Sequence, residues 1–300
     1  MIPNFFIIGA ARSGTTSLDR YLSQHPEIYI TPRKETHFFA VDHFPPYFMG
    51  PGDERLNRRL IRDENQYAQL FASVAGEKAI GESSVFYLCY PGTAERIAQA
   101  VPNAKIIAIL REPMARAYSA YMHLVRDGRE TLEFAEGLKR EEERRKKGFE
   151  PIWWYKELGL YYEQVKRYLD VFGTRQVKVL LYDELCANPG LVLHDVFVFL
   201  GVKEDVVIDT SVRYNVAGVP RSRRLYTLLD NFIEKPSALA KRMKVWIPSQ
   251  MREMWANKAM SMLLRPVPMN PQIHAQLKAF FAEDVEKLED LLHRKLLCWR

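Results

Sequence analysis

Short apolar runs alternate with longer segments of helical periodicity along most of the chain. Five runs have the length and composition of buried strands, at 5–8, 28–30, 79–80, 106–110 and 177–181. Apolar residues recur three and four positions apart in six other segments, at 17–24, 93–100, 113–126, 156–171, 189–200 and 271–293. Strands separated by helices of this length form parallel sheets with helices on both faces. The pattern therefore predicts an α/β fold with a central parallel sheet flanked by helices.

Composition and charge narrow the class of protein. A chain of 300 residues with 47% hydrophobic residues can bury one large core, so we expect a single domain over 1–300. The net charge of +6 comes from 43 basic and 37 acidic residues that are mixed along the chain. This balance suits an anionic small ligand and lacks the concentrated basic tract of a nucleic-acid-binding protein. The densest mixed-charge run, 136–147, is typical of a solvated helix face.

Cysteine usage and the apolar runs bear on the compartment. Cys89, Cys186 and Cys298 are odd in number and widely separated, which argues against a disulfide framework and against a zinc site. Reduced thiols of this kind are usual in the cytoplasm. No basic segment with an apolar run precedes the first strand, and no apolar stretch approaches the roughly 20 residues that cross a bilayer. We expect a cytoplasmic chain without stable membrane insertion and without a metal.

The first strand leads into a glycine-bounded loop that has the features of a phosphate site. Gly9 and Gly14 can adopt backbone angles closed to other residues, and a helix that begins near Thr15 would add its positive dipole end. The spacing is close to the phosphate-loop pattern GxxxxGK followed by Ser or Thr, with Thr16 at the hydroxyl position. The lysine position is occupied by Thr15, which argues against a nucleoside triphosphate, while Arg12 supplies a cation.

Two motifs in this order resemble the sulfotransferases that use 3′-phosphoadenosine 5′-phosphosulfate (PAPS) and release 3′-phosphoadenosine 5′-phosphate (PAP). The first motif is RSGTTSLDRYLSQHPEIYITPRKETHFF, and the second is LREPMARAYS, about a hundred residues later. The resemblance implies that Arg111 and Ser119 grip the 3′-phosphate. It also implies that the 5′-phosphosulfate is surrounded by Arg12, Ser13, Gly14, Thr15, Thr16 and Ser17.

The resemblance extends to a basic segment late in the chain. The segment 203–270 is rich in Arg, Lys, Pro and Met, and related enzymes carry a basic loop here that folds over the nucleotide. We expect it to be a lid or an acceptor-side region within the domain. Arg221 and Ser222 are candidates for the 3′-phosphate side, and a solvated basic helix start is the alternative.

The acceptor must lose a proton as it attacks, so the reaction requires a base. The glycan sulfotransferase pattern after the second strand implies that Glu35 is this base. His123 matches a histidine that assists the base in the amine-sulfating branch. We expect His37 to point away from Glu35 or to play a supporting part.

One departure from the glycan pattern puts the acceptor in doubt. These enzymes commonly have a lysine after the third strand, where this chain reads Gly81-Glu82-Ser83-Ser84. Either Lys34 replaces that lysine or the acceptor differs from heparan-type sugars. A carbohydrate, lipid or other small-molecule hydroxyl or amine all stay open as acceptors, as does the oligomeric state.

Two other functions and one local ambiguity remain at this point. A small-molecule kinase with a degenerate phosphate loop would use the segment 177–183 as a metal-binding strand ending at Asp183, although the missing lysine favours a structural role for that acid. A non-catalytic nucleotide-binding module is the second alternative. Trp153 and Trp154 either stack on a flat or sugar-like acceptor or pack in the core.

Overall fold

The computed structural model describes residues 2–212, 218–220, 263–265 and 267–299. Five strands form its central sheet: β1 Phe5–Gly9, β2 Ile28–Ile30, β3 Ala79–Ser83, β4 Lys105–Leu110 and β5 Val177–Leu181. The strand order is β2-β3-β1-β4-β5, and every neighbouring pair is parallel. All five predicted runs are strands, and the predicted central parallel sheet is confirmed.

Helices follow or separate the strands as the periodicity predicts. They are α1 Thr15–Leu22, α2 Glu54–Asn57, α3 Glu64–Gln69, α4 Thr93–Ala100, α5 Pro113–Arg126, α6 Phe134–Lys139, α7 Glu141–Lys146, α8 Tyr161–Phe172, α9 Tyr182–Ala187, α10 Pro189–Leu200 and α11 Pro271–Leu292. The bounds of α4, α5 and α10 are those predicted. Within the described ranges, no helix combines the length and apolar composition that crossing a bilayer requires.

Three predicted helices differ from the observed ones, and the last of them, α11, differs only by ending at Leu292 and not at residue 293. The first begins at Thr15, as the loop pattern predicts, and not at residue 17, where the apolar periodicity starts, because Gly14 in the left-handed conformation is its N-cap; it ends at Leu22 and not at residue 24. The predicted helix 156–171 is a 3₁₀ turn, Glu157–Gly159, followed by α8. A Cβ at Gly159 would lie 2.8 Å from the ring of Phe281, so a close contact with α11 requires glycine where the turn ends.

Two apolar layers enclose the sheet, because successive strand side chains point to opposite faces. Phe6 and Ile8 of β1 lie in the larger layer, which is covered by α4, α5, α8 and α11. Phe5 and Ile7 lie in the other layer, beneath α1 and α10. All four side chains are fully buried. This packing fixes the sheet, and the loops at its edge are attached to a rigid base.

The carboxyl ends of the parallel strands meet at one edge, which is where ligands bind in such sheets. The glycine-bounded loop follows β1, Ser84 follows β3 and Arg111 follows β4. A short antiparallel pair, β6 Val219–Pro220 with β7 Leu264–Arg265, lies within the basic segment 203–270. Arg221 and Ser222 lie outside the described residues.

The burial of individual side chains distinguishes between the alternatives for the aromatic segment and describes the mixed-charge run 136–147. Trp153 is fully buried and its Nε1 donates to Oδ1 of Asp53 at 3.1 Å, so its role is core packing. Trp154 is half-buried and lines a cavity of about 620 Å³. Most charges of the 136–147 run face solvent, but Arg144 turns inward and donates to Oε2 of Glu130 at 2.6 Å.

Candidate active site

The loop after β1 has the backbone geometry that its glycines predict. Gly9 has φ 140° and Gly14 has φ 88°, and a Cβ at either position would lie 2.7 Å from a neighbouring atom. For Gly14 that neighbour is the ring of Tyr182. Arg12, at φ 69°, is also left-handed. The loop therefore curls back on itself before α1, and the positive dipole end of α1 faces the site.

Arg12 connects the two motifs that the sequence separates by a hundred residues. Its Nε donates to Oγ of Ser119 on α5 at 3.3 Å, and its carbonyl oxygen accepts from Nη1 of Arg111 at 3.3 Å. Burial, followed by the charges of Arg126 and Arg111, lowers the pKa of Arg12 to about 9. The guanidinium remains charged at neutral pH. Positive charge is thus concentrated where an anionic ligand would relieve the repulsion.

Arg111 is held from two sides at the end of β4. Its guanidinium carbon lies 4.8 Å from the centre of the Tyr182 ring, which also limits the space at Gly14. Its carbonyl oxygen accepts from the hydroxyl of Tyr161 at 3.0 Å. Next to it, the carboxylate of Glu112 accepts two N–H groups at the start of α5. This cap fixes the helix on which Ser119 lies buried.

Lys34 brings an ammonium group to the loop from the segment after β2. Its Nζ lies 3.4 Å from Oγ1 of Thr15 and 3.3 Å from Oγ1 of Thr16. The same Nζ lies 4.0 Å from Oε1 of Glu35. Lys34 therefore stands between the loop hydroxyls and a carboxylate.

Glu35 is fixed by backbone and side-chain contacts near the end of β3. Its N–H donates to the carbonyl of Ser83 at 3.0 Å, and its Oε2 accepts from the N–H of Val85 at 2.9 Å. Burial raises the pKa of Glu35, but His37, Lys34 and the Val85 N–H together lower it below its usual value. The carboxylate is ionised at neutral pH and can accept a proton.

The position of His37 contradicts one of the two alternatives expected for it. Its Nε2 lies 3.2 Å from Oε2 of Glu35, so it does not point away. Residues two apart share one side of an extended segment, and here the backbone is also left-handed, with Glu35 at φ 61° and His37 at φ 51°. The imidazole is fully buried and stacks on Phe86 with ring centres 5.0 Å apart. His37 thus lies against the Glu35 carboxylate, and its supporting part in the reaction stays a prediction.

Comparison with known proteins decides the family. A model described as the sulfotransferase family matches residues 3–205. The chain belongs to this family. It is 48% identical to a sulfotransferase from Alicyclobacillus acidocaldarius of known structure, with a TM-score of 0.81 over 100% of this chain and 99% of that one. The complex of mouse sulfotransferase SULT7A1 with PAP shares the fold, with 15% identity and a TM-score of 0.50 over 97% of this chain and 88% of the mouse chain.

Curated relatives are more distant and longer than this chain. The membrane-associated sulfotransferase kil1 of Dictyostelium discoideum is 23% identical over 78% of this chain. Human bifunctional heparan sulfate N-deacetylase/N-sulfotransferase 3 is 29% identical over 67% of this chain. The matches span 63% of the first relative and 22% of the second. This sulfotransferase thus corresponds to part of each of these proteins.

His123 lies on the Arg12 side of the site. Its Nδ1 accepts from Nη2 of Arg126 at 2.6 Å, and its Nε2 lies 3.8 Å from Oδ2 of Asp127. Burial, followed by the charges of Arg12 and Arg126, keeps the pKa of His123 well below its ordinary value. The imidazole is neutral, and because arginine only donates, its proton is on Nε2. Its polar contacts within the described part of the chain do not include Glu35.

Two acids complete the site region. Glu82, which sequence analysis noted only in the motif lacking a lysine, is fully buried under the segment that carries Glu35. Asp183 lies in the first turn of α9, where a negative charge stabilises the helix dipole without a cap hydrogen bond. Among the described residues, no three metal-binding side chains are grouped to hold an ion.

Proposed function

We propose that this sulfotransferase transfers the sulfuryl group of PAPS to a hydroxyl or amine of a carbohydrate or another small molecule. The observation that carries the proposal is the position of Lys34. Its ammonium contacts the hydroxyls of the phosphate-type loop on one side and the Glu35 carboxylate on the other. A donor on the loop and an acceptor at the base would both lie within reach of one cation.

The donor side is supported by the residues around Arg12. Arg111 has a planar guanidinium that can bind a phosphate through two charge-assisted hydrogen bonds, and Ser119 adds a hydroxyl. The loop residues Ser13 to Ser17 would hold the 5′-phosphosulfate. PAP in the mouse relative agrees with such a donor. The site suits the anionic groups of PAPS, because its side chains provide cations and hydroxyls around a helix N-terminus.

Sulfuryl transfer between oxygens resembles phosphoryl transfer, in which catalysis is mainly positioning and neutralisation of charge. Glu35 accepts the proton of the attacking hydroxyl or amine as the new bond to sulfur forms. The bond between sulfur and the bridging oxygen breaks, and PAP leaves with the electron pair. Lys34, Arg12 and the loop hydroxyls stabilise the negative charge on that oxygen. The step requires no metal.

The acceptor class rests on the location of Glu35 and on the glycan-modifying relative. The heparan sulfate enzyme acts as an N-sulfotransferase by its name, which favours an amine or hydroxyl of a sugar. The motif Gly81-Glu82-Ser83-Ser84 lacks the lysine of the glycan pattern. We therefore keep non-sugar hydroxyls within the proposal. No observation favours a kinase or a non-catalytic module.

Calorimetry and a transfer assay test the proposal. PAP should bind much more tightly than ADP or AMP, because only PAP has the 3′-phosphate that Arg111 and Ser119 would hold. Radiolabelled PAPS should then transfer its label to at least one of a panel of amino sugars, glycans, phenols and lipid alcohols. Equal affinities for PAP and AMP would overturn the donor assignment, and tight PAP binding without transfer would favour a binding module.

A further inference from the structure

A single buried carboxylate accepts four hydroxyl hydrogen bonds behind the Glu35 segment. Oε1 of Glu82 accepts from Oγ1 of Thr36 at 2.6 Å and from Oγ of Ser84 at 2.5 Å. Its Oε2 accepts from the hydroxyls of Tyr67 at 3.0 Å and Tyr87 at 2.9 Å. Burial raises the pKa of Glu82, and the four hydroxyl donors act in the opposite direction with a smaller effect. The two oxygens of a carboxylate have about four lone-pair sites, so these four donors occupy all of them.

Three of these hydroxyls also bind consecutive backbone N–H groups of the segment that follows Glu35. The N–H of His37 donates to Oγ of Ser84 at 3.0 Å, and the N–H of Phe38 donates to Oγ1 of Thr36 at 3.4 Å. The N–H of Phe39 donates to the hydroxyl of Tyr87 at 3.2 Å. Each hydroxyl has only one proton. Because that proton points to Glu82, the hydroxyl oxygen has a lone pair with which it accepts the backbone N–H.

The segment held in this way has an unusual backbone. Glu35 and His37 are both left-handed, a conformation that residues with side chains rarely adopt and that persists where the surroundings impose it. Ser84 contributes a second constraint, since it precedes Val85, whose N–H binds Oε2 of Glu35. The network therefore reaches both the backbone and the carboxylate of Glu35.

We propose that Glu82 is a positioning residue for sulfuryl transfer, which orients three hydroxyls so that they hold Glu35 where it can take the proton of the acceptor. This inference rests on the proposed function, because it assigns the base role to Glu35. Glu82 itself is fully buried behind the segment and acts only through its neighbours. Glu35, Lys34 and Arg12 would act on the donor or the acceptor directly, and Glu82 would act on neither directly.

The amide variant Glu82→Gln tests the orientation with almost no change of shape. Its NH₂ group would donate to hydroxyls that now donate to the carboxylate, so those hydroxyls must turn their protons toward the backbone N–H groups. The hydroxyl O–H and the backbone N–H would then be two donors that face each other without an acceptor. Hydrogen exchange measured by NMR should be faster at the amides of His37 and Phe38 if the NH₂ group replaces Oε1, or at the amide of Phe39 if it replaces Oε2. The amides of the central strands should keep their protection.

A matched pair of tyrosine variants separates positioning from stability. Tyr67→Phe and Tyr87→Phe each remove one buried hydroxyl from Oε2 of Glu82, but only the Tyr87 hydroxyl also accepts a backbone N–H of the segment. Exchange at Phe39 should increase much more in Tyr87→Phe than in Tyr67→Phe, at comparable losses in melting temperature. Equal increases in the two variants would overturn the positioning role.

Kinetics connect this geometry to the reaction. With labelled PAPS and N-deacetylated heparosan or p-nitrophenol as acceptor, Glu82→Gln should lower kcat by about 10²-fold, the usual effect of a small misplacement, with PAP affinity unchanged. The double variant Glu35→Gln/Glu82→Gln should be no slower than Glu35→Gln alone, because Glu82 acts through Glu35. If the fold-loss of kcat in the double variant equalled the product of the two single losses, the inference would be overturned. Failure of the wild-type protein to transfer to any acceptor of the panel would refute the proposed function, and the exchange experiment would still decide the role of Glu82.

Discussion

Nζ of Lys34 lies 3.4 Å from Oγ1 of Thr15, the residue that occupies the lysine position of the phosphate-loop pattern. The cation that the loop lacks in sequence is thus supplied in space by a segment nineteen residues later. Where a nucleoside-triphosphate enzyme has a lysine, this chain has the Thr15 hydroxyl, which contacts the ammonium of Lys34. This arrangement lets one cation contact both the loop and the Glu35 carboxylate.

Replacing Lys34 by methionine keeps most of the apolar stem and removes the charge. If Lys34 neutralises the leaving oxygen, kcat should fall by about 10²–10³-fold, the usual cost of removing one donor that stabilises developing charge. Steady-state transfer of label from PAPS measures this loss. Lys78→Met is the control, since Lys78 forms an exposed ion pair with Glu27 far along the sequence from the loop. Full activity of Lys34→Met would exclude the role.

Arg111→Ala tests the placement of the 3′-phosphate. Affinity for PAP measured by calorimetry should weaken by about 2–4 kcal/mol, because a forked, charged hydrogen-bond partner is lost. Arg111→Lys keeps the charge but not the fork, so it should recover only part of that loss. Adenosine 5′-phosphosulfate, which has no 3′-phosphate, is the control ligand and should bind both proteins alike. A similar loss for both ligands would move Arg111 away from the 3′-phosphate.

Acid unfolding tests the electrostatics of Glu35. Its pKa is below the usual value because the contacts with His37, Lys34 and the Val85 N–H outweigh burial. A depressed carboxylate contributes stability that is complete above the unfolded value of about 4.3 and is lost as the pH falls through the folded pKa. The wild-type free energy of unfolding should therefore decrease below about pH 4 more steeply than that of Glu35→Gln. Parallel curves would show that these contacts contribute no net stability.

Sequence reasoning reached the sheet and the loop because both depend on local patterns. The strands follow from short apolar runs, and the loop follows from Gly9 and Gly14, whose observed φ values other residues rarely adopt. The contact between Arg12 and Ser119 follows from placing two motifs at one edge of a parallel sheet. The strands and the loop need no knowledge of distant side chains, and the long-range contact between Arg12 and Ser119 needs only the topology of the sheet.

The supporting shell was missed because its members are scattered. Glu82 is bound by hydroxyls at positions 36, 67, 84 and 87, which have no common spacing in the sequence. The left-handed backbone at Glu35 and His37 had no glycine to signal it. Residues two apart share one side of an extended segment, so alternation gave no ground for expecting His37 to point away from Glu35. The contact of Lys34 with Thr15 depends on the path of a long side chain. Each of these features is a consequence of tertiary packing.

Thr15→Lys would restore the residue that the phosphate-loop pattern requires. We expect no magnesium-dependent ATP hydrolysis, because a kinase also needs an acid that holds the metal and space for the γ-phosphate. The new ammonium would start from the position that Nζ of Lys34 contacts at present. Repulsion between the two cations should lower sulfuryl transfer, and Thr15→Met, which adds similar bulk without charge, separates repulsion from crowding. ATP hydrolysis in Thr15→Lys would revive the kinase interpretation.

Glu35→Gln and His123→Ala together identify the base. The amide keeps the shape of Glu35 but cannot take the acceptor's proton, so kcat should fall by about 10²–10⁴-fold, the usual contribution of a positioned base. The KM for PAPS should stay nearly constant. His123 contacts Arg126 and lies among the charges that surround Arg12. Its removal should therefore weaken PAP binding in calorimetry and lower kcat less than Glu35→Gln does.

A different result from the same two variants would assign the base role to His123. If Glu35→Gln kept full kcat while His123→Ala abolished transfer, with PAP affinity intact in both, the base would be His123. That result would also contradict the geometry, because the contacts of His123 lie with Arg126 and Asp127 while those of Glu35 lie with Lys34, which bridges to the loop hydroxyls. A neutral imidazole whose Nδ1 is occupied by an arginine would have to accept the proton at an atom that already carries one. The structure therefore favours Glu35.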